Sequence, residues 1–346
     1  VTGGDWFAWT ADNAGCAWYR SIVPMTGMQR AGLVDRGTWG MVSTGEELLA
    51  RDVLVAQRTC NDTANPMLWR LASEGFQFTY DIDDMLWGVE PGNVQAYGFY
   101  AQEWVQETLM RTLDAAAQIT ASTPELADEL SRLGHGDKVT VLPNTVPELP
   151  GLARDPENEP VDRNGRRSRP LRVLWAGSRT HDDDLQIVKY TTKKLVERGD
   201  IELVLMGVEY RDVLPWAAGV LPWVPNSEYL QAISSVGADV MLCPVKPSAF
   251  NACKSHLKAL DAMAAGLIPV ASDYPTYNRL ITHGENGLLA RWNEHDWHKK
   301  LQAVVAMSWD ELAVMRANGL ARASDYLSDA WAPTVHETWG RTPVRG

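Results

Sequence analysis

The chain is poor in cysteine, with four in 346 residues: Cys16, Cys60, Cys243 and Cys253. None forms a CxxC pair or stands at metal-ligand spacing with a histidine. That excludes a disulfide scaffold and a zinc module, and it leaves thiols expected to be reduced and mostly buried. Basic charge is also in deficit, with 32 Lys and Arg against 44 Asp and Glu and a net charge of −12. A protein whose affinity comes from many phosphate contacts carries the opposite balance, so nucleic acid is disfavoured as a partner, a narrow basic groove apart. Long apolar runs are missing too: stretches such as Val236–Val245 fall far short of the ~20 residues of a membrane span. No strongly amphipathic basic helix is evident either, so no stable membrane association is expected. The opening VTGGDWFAWT has no basic segment followed by an apolar one, so no signal peptide is legible and a cytoplasmic location is expected.

What remains is ordinary globular material, 45% hydrophobic and 22% charged, long enough for two domains. Tryptophan is abundant, at fifteen. Most of these indoles belong in cores. Trp87, Trp104 and Trp223 stand near candidate clefts, where an indole can stack on a sugar or a base.

Strand and helix patterns alternate along the chain, which reads as parallel sheets covered on both faces. The first block has strands at Trp6–Thr10, Asp52–Gln57, Phe76–Ile82, Gln118–Ala121 and Lys138–Pro143, and helices at Ala17–Ala31, Ala64–Glu74, Val94–Ala117 and Pro124–Leu133. A charged, proline-rich stretch, ELPGLARDPENEPVDRNGRRSRP, has no apolar period and reads as linker. The second block restarts at LRVLWAG (Leu171–Gly177) and continues through a helix at Asp183–Arg198, IELVLMG, a short apolar piece at Gly219–Val224 and a helix at Ser227–Val236. Then come ADVMLCPV, a helix at Lys254–Ala265, and strands at Ile268–Ala271 and Gly287–Ala290. The expected fold is α/β, with two Rossmann-like doubly wound domains facing a cleft. Their boundaries are 1–150, linker 151–170, 171–325, and a helical tail 326–346 packing back towards the N-terminal domain. Ligands of such sheets sit beyond the carboxyl ends of the strands.

The most informative stretch is FNACKSHLKALDAMAAG, Phe250–Gly266. A helix beginning near Lys254 or Ser255 offers free N–H groups beside a lysine, an anion site suited to a diphosphate. Asp261, about two turns on, can bond ribose hydroxyls from the same face. An amphipathic helix with both side chains solvated fits the same letters. Asp81, Asp83 and Asp84 end a strand in YDIDD. They fit a metal site, metal-free acid–base work beside an acceptor hydroxyl, or loop capping; the metal-free reading is preferred and no metal ligand is assigned. In GSRTHDDD, Asp182, Asp183 and Asp184 suit a helix N-terminus.

These motifs resemble family 4 (group 1) glycosyltransferases, retaining enzymes of the GT-B fold. The similarity is carried by DAMAAGLIPVAS followed by GENGLL, by LRVLWAGS, and by YDIDDMLW, ITASTPELADEL, VTVLPNTVP and NAGCAWYR in the expected order. It implies transfer of a sugar from a nucleotide-diphosphate sugar, UDP favoured and GDP next, to a hydroxyl acceptor, with retention and with no cofactor or divalent metal. Gly15 and Arg20 of the first turn, Gly177, Ser178, Arg179 and His181, the Trp223–Val224 loop bordering the base, and Asn251, Lys254, Ser255 and Asp261 are then donor-binding. Asp83 or Asp84, with Asp81, serves the acceptor. Two glutamates seven residues apart are usual in the family; here Cys253 and Asp261 occupy those places, so sugar recognition must differ. A protein, a glycan or a modified nucleic-acid base is the acceptor. A dinucleotide oxidoreductase would need GxGxxG after a strand, which is missing. A sugar-nucleotide epimerase and a non-catalytic nucleotide-sugar-binding protein are the alternatives.

Overall fold

The computed structural model describes residues 3–150, 159–163, 168–178, 182–207 and 212–345. The chain divides into two units. One comprises Val1–Pro147, Cys253–Ser255 and Tyr326–Gly346; the other comprises Glu148–Ala252 and His256–Asp325.

The first unit is built on six parallel strands: β1 (Asp5–Thr10), β2 (Arg36–Gly40), β3 (Val53–Gln57), β4 (Thr79–Ile82), β5 (Gln118–Ala121) and β6 (Val139–Val141), in the order β2-β1-β3-β4-β5-β6. Strands buried on both faces need no polar alternation, which is why VLVAQ of β3 is buried throughout. One face packs Trp9, Leu54, Tyr80 and Ile119 against the helices Ala64–Ser73 and Glu103–Ala115. The other packs Trp6, Val53 and Val55 against Met25, Met28 and Trp339. Trp339 belongs to the C-terminal helix Ser328–Gly340, and Gly27 permits that helix to lie close: a Cβ there would meet the Ser328 carbonyl oxygen at 3.0 Å.

The second unit carries β7 (Leu171–Gly177), β8 (Ile201–Gly207), β9 (Gly219–Pro222), β10 (Val240–Cys243), β11 (Ile268–Ser272) and β12 (Leu288–Ala290), all parallel, in the order β12-β11-β10-β7-β8-β9. The order reverses between β1 and β3 in one sheet and between β7 and β10 in the other. Those switch points open the crevices in which doubly wound sheets bind ligands.

Several elements differ from the sequence reading. Strand β2, RGTWG, and the helix Gly45–Leu49 are additional. Two glycines and an arginine hide an edge strand, whereas Thr44 and Glu47 form a capping box that is legible once sought. The long helix expected at Val94–Ala117 is two, Val94–Tyr100 and Glu103–Ala115, because Gln102 is extended and starts the second. The helix expected from Lys254 begins at Leu257. Among the described residues no helix is long and apolar enough to cross a membrane.

Candidate functional site

In the first unit the chain leaves β1 through Ala11–Ala14 and enters a helical run, Gly15–Ala17, continuing through a π-helical stretch at Trp18–Ile22 into Val23–Arg30. Asp12 occupies the start of that run, its Oδ1 accepting the N–H groups of Ala14 at 2.8 Å and Ala17 at 3.4 Å. A Cβ at Gly15 would meet open space. The N–H groups expected to face a phosphate here are therefore partly taken by a carboxylate.

Arg20, expected at the donor, and Asp81, expected at the acceptor, are paired with each other in the structure. The Arg20 guanidinium grips Asp81 with two bonds, at 2.6 and 3.0 Å, and the side chains are 3% and 0% exposed. The remaining capacity is filled as well. Arg20 donates to the Leu142 carbonyl at 2.6 Å and to Asn144 Oδ1 at 2.9 Å, and Thr120 donates to Asp81 at 2.6 Å. Burial works against the charge on Arg20, but Asp81 outweighs it and raises the guanidinium pKa. The wider π turn coincides with the point where Arg20 faces inward.

Asp83 and Asp84 have a different surrounding. Arg58 follows β3 at the switch point and is the only non-glycine residue with positive φ, +40°, among the described residues. A non-glycine residue held there carries strain of the kind that clusters at functional positions. Its Nη1 donates to Asp83 at 3.1 Å and 3.3 Å and to Cys16 Sγ at 2.8 Å, and its Nη2 donates to Tyr100 Oη at 2.9 Å. Asp84 Oδ2 lies 4.0 Å away. Arg58 is well raised in pKa because Asp83, Cys16, Tyr100 and Asp84 together outweigh the opposing effect of burial. Burial and the neighbouring Asp83 push the Asp84 carboxyl up, against Lys254 and Arg58. Asp84 is the more open of the two, its side chain 26% exposed against 11% for Asp83. Nothing in the letters marks Arg58, apart from its place directly after a strand end. Among the described residues no group of three or more His, Cys, Asp or Glu side chains is placed to share a metal ion; Asp81 and Asp83 go to different arginines.

Cys253, Lys254 and Ser255 belong to this same unit. The Cys253 carbonyl accepts from Thr123 Oγ1 at 2.8 Å, and Ser255 Oγ accepts from Asn144 Nδ2 at 2.9 Å. The Cys253 thiol is pushed up to about 12 by burial and by Glu129. Because the helix starts at Leu257, Lys254 and Asp261 do not share a helical face. Lys254 acts electrostatically on Asp84, while Asp261 is nearly buried and, after burial itself, raises the Tyr229 hydroxyl pKa.

In the second unit Gly177 and Gly207 end adjacent strands. Gly207 has φ +104°, and a Cβ there would stand 2.7 Å from the Gly177 carbonyl oxygen and 3.1 Å from the Trp223 ring. Two bare backbones and an indole thus meet where β7 and β8 end, and Trp223 stays 56% exposed. Val224 follows it in the same loop. Ser178 comes directly after Gly177; Arg179 and His181 lie outside the described residues. Asp182, Asp183 and Asp184 open the helix Asp182–Glu197. Asp184 accepts the Lys246 N–H at 2.7 Å, and Asp183 pairs with Lys246 Nζ at 3.0 Å, so these acids tie down the loop after β10. Asn251, expected at the donor, is engaged locally. Its Nδ2 donates to the Lys246 carbonyl at 2.8 Å and its N–H to Ser248 Oγ at 3.1 Å, so it closes its own loop.

Residues 170–307 match the family model described as Glycosyl transferases group 1. No curated protein matches the chain. Among solved structures, the chain is similar to sucrose-phosphate synthase from Thermosynechococcus elongatus, with TM-score 0.64, 15% identity, and 97% of this chain and 98% of that one covered. It is similar to HepE from Anabaena in complex with UDP-glucose, with TM-score 0.64, 12% identity and coverage of 96% and 98%. It is also similar to the catalytic domain of starch synthase IV from Arabidopsis thaliana bound to ADP and acarbose, with TM-score 0.67, 11% identity and coverage of 99% of each chain. Residues 170–307 thus match the group 1 glycosyl transferase model, and the chain shares the two-domain GT-B fold of these structures.

Proposed function

We propose that this chain transfers a sugar from a nucleotide-diphosphate sugar, UDP-linked in preference to GDP-linked, to a hydroxyl acceptor, with retention and without a metal ion. The observation that carries the reading is the group 1 match over the second unit, where Gly177, Gly207 and the exposed Trp223 converge at the strand ends. In this reading the backbone of Gly177 and Ser178, with Arg179 and His181, meets the phosphates, and the Trp223–Val224 loop borders the base. Asp261 serves the ribose. Lys254 and Ser255 meet the leaving diphosphate, whose growing charge a fixed ammonium and N–H donors stabilise. HepE and starch synthase IV, solved with UDP-glucose and with ADP, support a nucleotide-sugar donor.

Asp84 is the carboxylate we assign to the acceptor hydroxyl. Asp83 is engaged by Arg58, whereas Asp84 is partly open and its pKa is raised, which suits a group that takes and returns a proton. The soluble, cytoplasmic setting is part of the same proposal.

Thermal stability with UDP-, GDP-, ADP- and TDP-sugars, with and without EDTA, tests the reading. One nucleotide sugar should stabilise the protein selectively and equally in EDTA, and Lys254→Ala should weaken that effect at least tenfold in apparent affinity. Stabilisation by none, or an unaltered response in Lys254→Ala, refutes the donor assignment. Turnover of the donor without any acceptor would instead indicate an epimerase.

A further inference from the structure

The segment after the aspartates carries a second pattern that the donor site does not use. Tyr97, Phe99 and Trp104 are 39%, 37% and 44% exposed, a concentration of aromatic surface on the two short helices Val94–Tyr100 and Glu103–Ala115. The indole of Trp104 is held in place: its Nε1–H donates to Gln102 Oε1 at 2.9 Å, and its ring meets Phe99 edge-to-face at 5.8 Å between centroids. Phe99 in turn meets Tyr100 edge-to-face at 5.1 Å, and the Tyr100 hydroxyl accepts from Arg58, which grips Asp83. An exposed aromatic ring is thus fixed and connected by direct contacts to the carboxylate pair.

The charge around it selects the occupant. From Met85 to Met110 there is no lysine or arginine, while Glu90, Glu103 and Glu107 are present. The charged side chains of this segment are all carboxylates, and the basic groups next to it are engaged, Arg58 by Asp83 and Tyr100 and Arg111 over the Trp69 ring, so an anionic ligand is disfavoured. A neutral sugar ring has what the surface asks for. Its C–H bonds carry partial positive charge towards the negative face of the aromatic ring, and its hydroxyls stay at the wet edge. The Gln102 amide stands beside the Trp104 ring, where it can serve a sugar hydroxyl. Holding Trp104 before binding also removes an ordering cost that a free side chain would add.

We propose that Trp104, its indole held by Phe99, forms a subsite for a neutral glycan acceptor, with Trp104 as the stacking face. The proposal rests on the reading of Asp84 as the group that meets the acceptor, and it narrows the acceptor from protein, glycan or base to glycan. The test is saturation-transfer NMR and titration of the whole protein with maltohexaose and cellohexaose, without nucleotide sugar, beside a single-stranded oligonucleotide and an acidic peptide. At least one glycan should bind and the two acidic probes should not. Trp104→Ala should weaken the responding glycan at least tenfold, and Phe99→Leu should weaken it less, because it only loosens the indole. Melting temperature and the nucleotide-sugar response, read on the same samples, separate lost contact from lost fold. Binding unchanged in Trp104→Ala, no binding of either glycan, or preference for an acidic probe overturns the subsite. Glycan binding that depends on Trp104, in a protein that no nucleotide sugar stabilises, overturns the transferase reading and leaves the subsite standing.

Discussion

Replacing Arg20 by alanine separates a structural role from a phosphate-binding one. The guanidinium it removes sits 2.6 Å from an Asp81 oxygen, and Asp81 is fully buried. With Arg20 gone, that carboxylate keeps its Thr120 hydroxyl bond but loses its counter-charge. The Leu142 carbonyl and Asn144 lose a donor as well. Removing one partner of a buried ion pair costs roughly 3–5 kcal/mol. For a unit of this size that corresponds to a fall of about 6–20 °C in its melting temperature. Replacing both partners with apolar residues, Arg20→Met with Asp81→Leu, should cost less than either single change, since no buried charge is then left alone. Differential scanning calorimetry of Arg20→Ala, Arg20→Met, Asp81→Leu and the double variant reads these shifts, with transitions assigned unit by unit because two units need not unfold together. Nucleotide-sugar affinity of the folded fraction should stay near wild type. A loss below 1 kcal/mol in Arg20→Ala, or a collapse of nucleotide-sugar affinity at unchanged melting temperature, refutes the reasoning and returns Arg20 to the donor site.

Other expectations follow from single groups. Arg58 holds the Asp84 pKa down by its charge, so Arg58→Gln should move the acid limb of the pH–rate profile to higher pH; an unmoved limb rejects Asp84 as the titrating base. Gly207→Ala places a Cβ against the Gly177 carbonyl oxygen at a φ that L residues avoid. It should cost roughly 2–4 kcal/mol by urea titration, and a cost under 0.5 kcal/mol would show that the turn relaxes freely. Burial and Arg322 bring the His256 pKa down to about 4, below the ~6.5 of an unfolded chain. The unfolded state then takes the proton first, so stability is complete above about pH 6.5 and falls by up to about 3 kcal/mol as pH drops towards 4. His256→Gln should flatten that dependence, and an equal slope in both proteins would contradict it.

Much of the architecture was legible because parallel strands buried on two faces write themselves as apolar runs. LRVLWAG and IELVLMG became β7 and β8 residue for residue. Gln118–Ala121 became β5, buried throughout although two of its four residues are polar. Elements with little apolar content were not legible: β2 is held at a sheet edge by backbone pairing with β1 rather than by its own side chains. The break before Glu103 depends on one extended residue, Gln102, inside a helical composition.

The sequence by itself determined the doubly wound class, the order of the glycosyltransferase-like motifs and the short list of polar residues, since periodicity and motif spacing are local properties. It could not rank that list. Asp81, Asp83 and Asp84 are near neighbours with the same functional group. Only the tertiary structure brings Arg20, sixty-one residues from Asp81, to neutralise the first, and Arg58, twenty-five residues from Asp83, to hold the second, leaving Asp84 the more open. Which carboxylate is spent on stability and which is left for chemistry is decided by partners distant in sequence, because a buried charge is tolerable only where folding supplies its counter-charge.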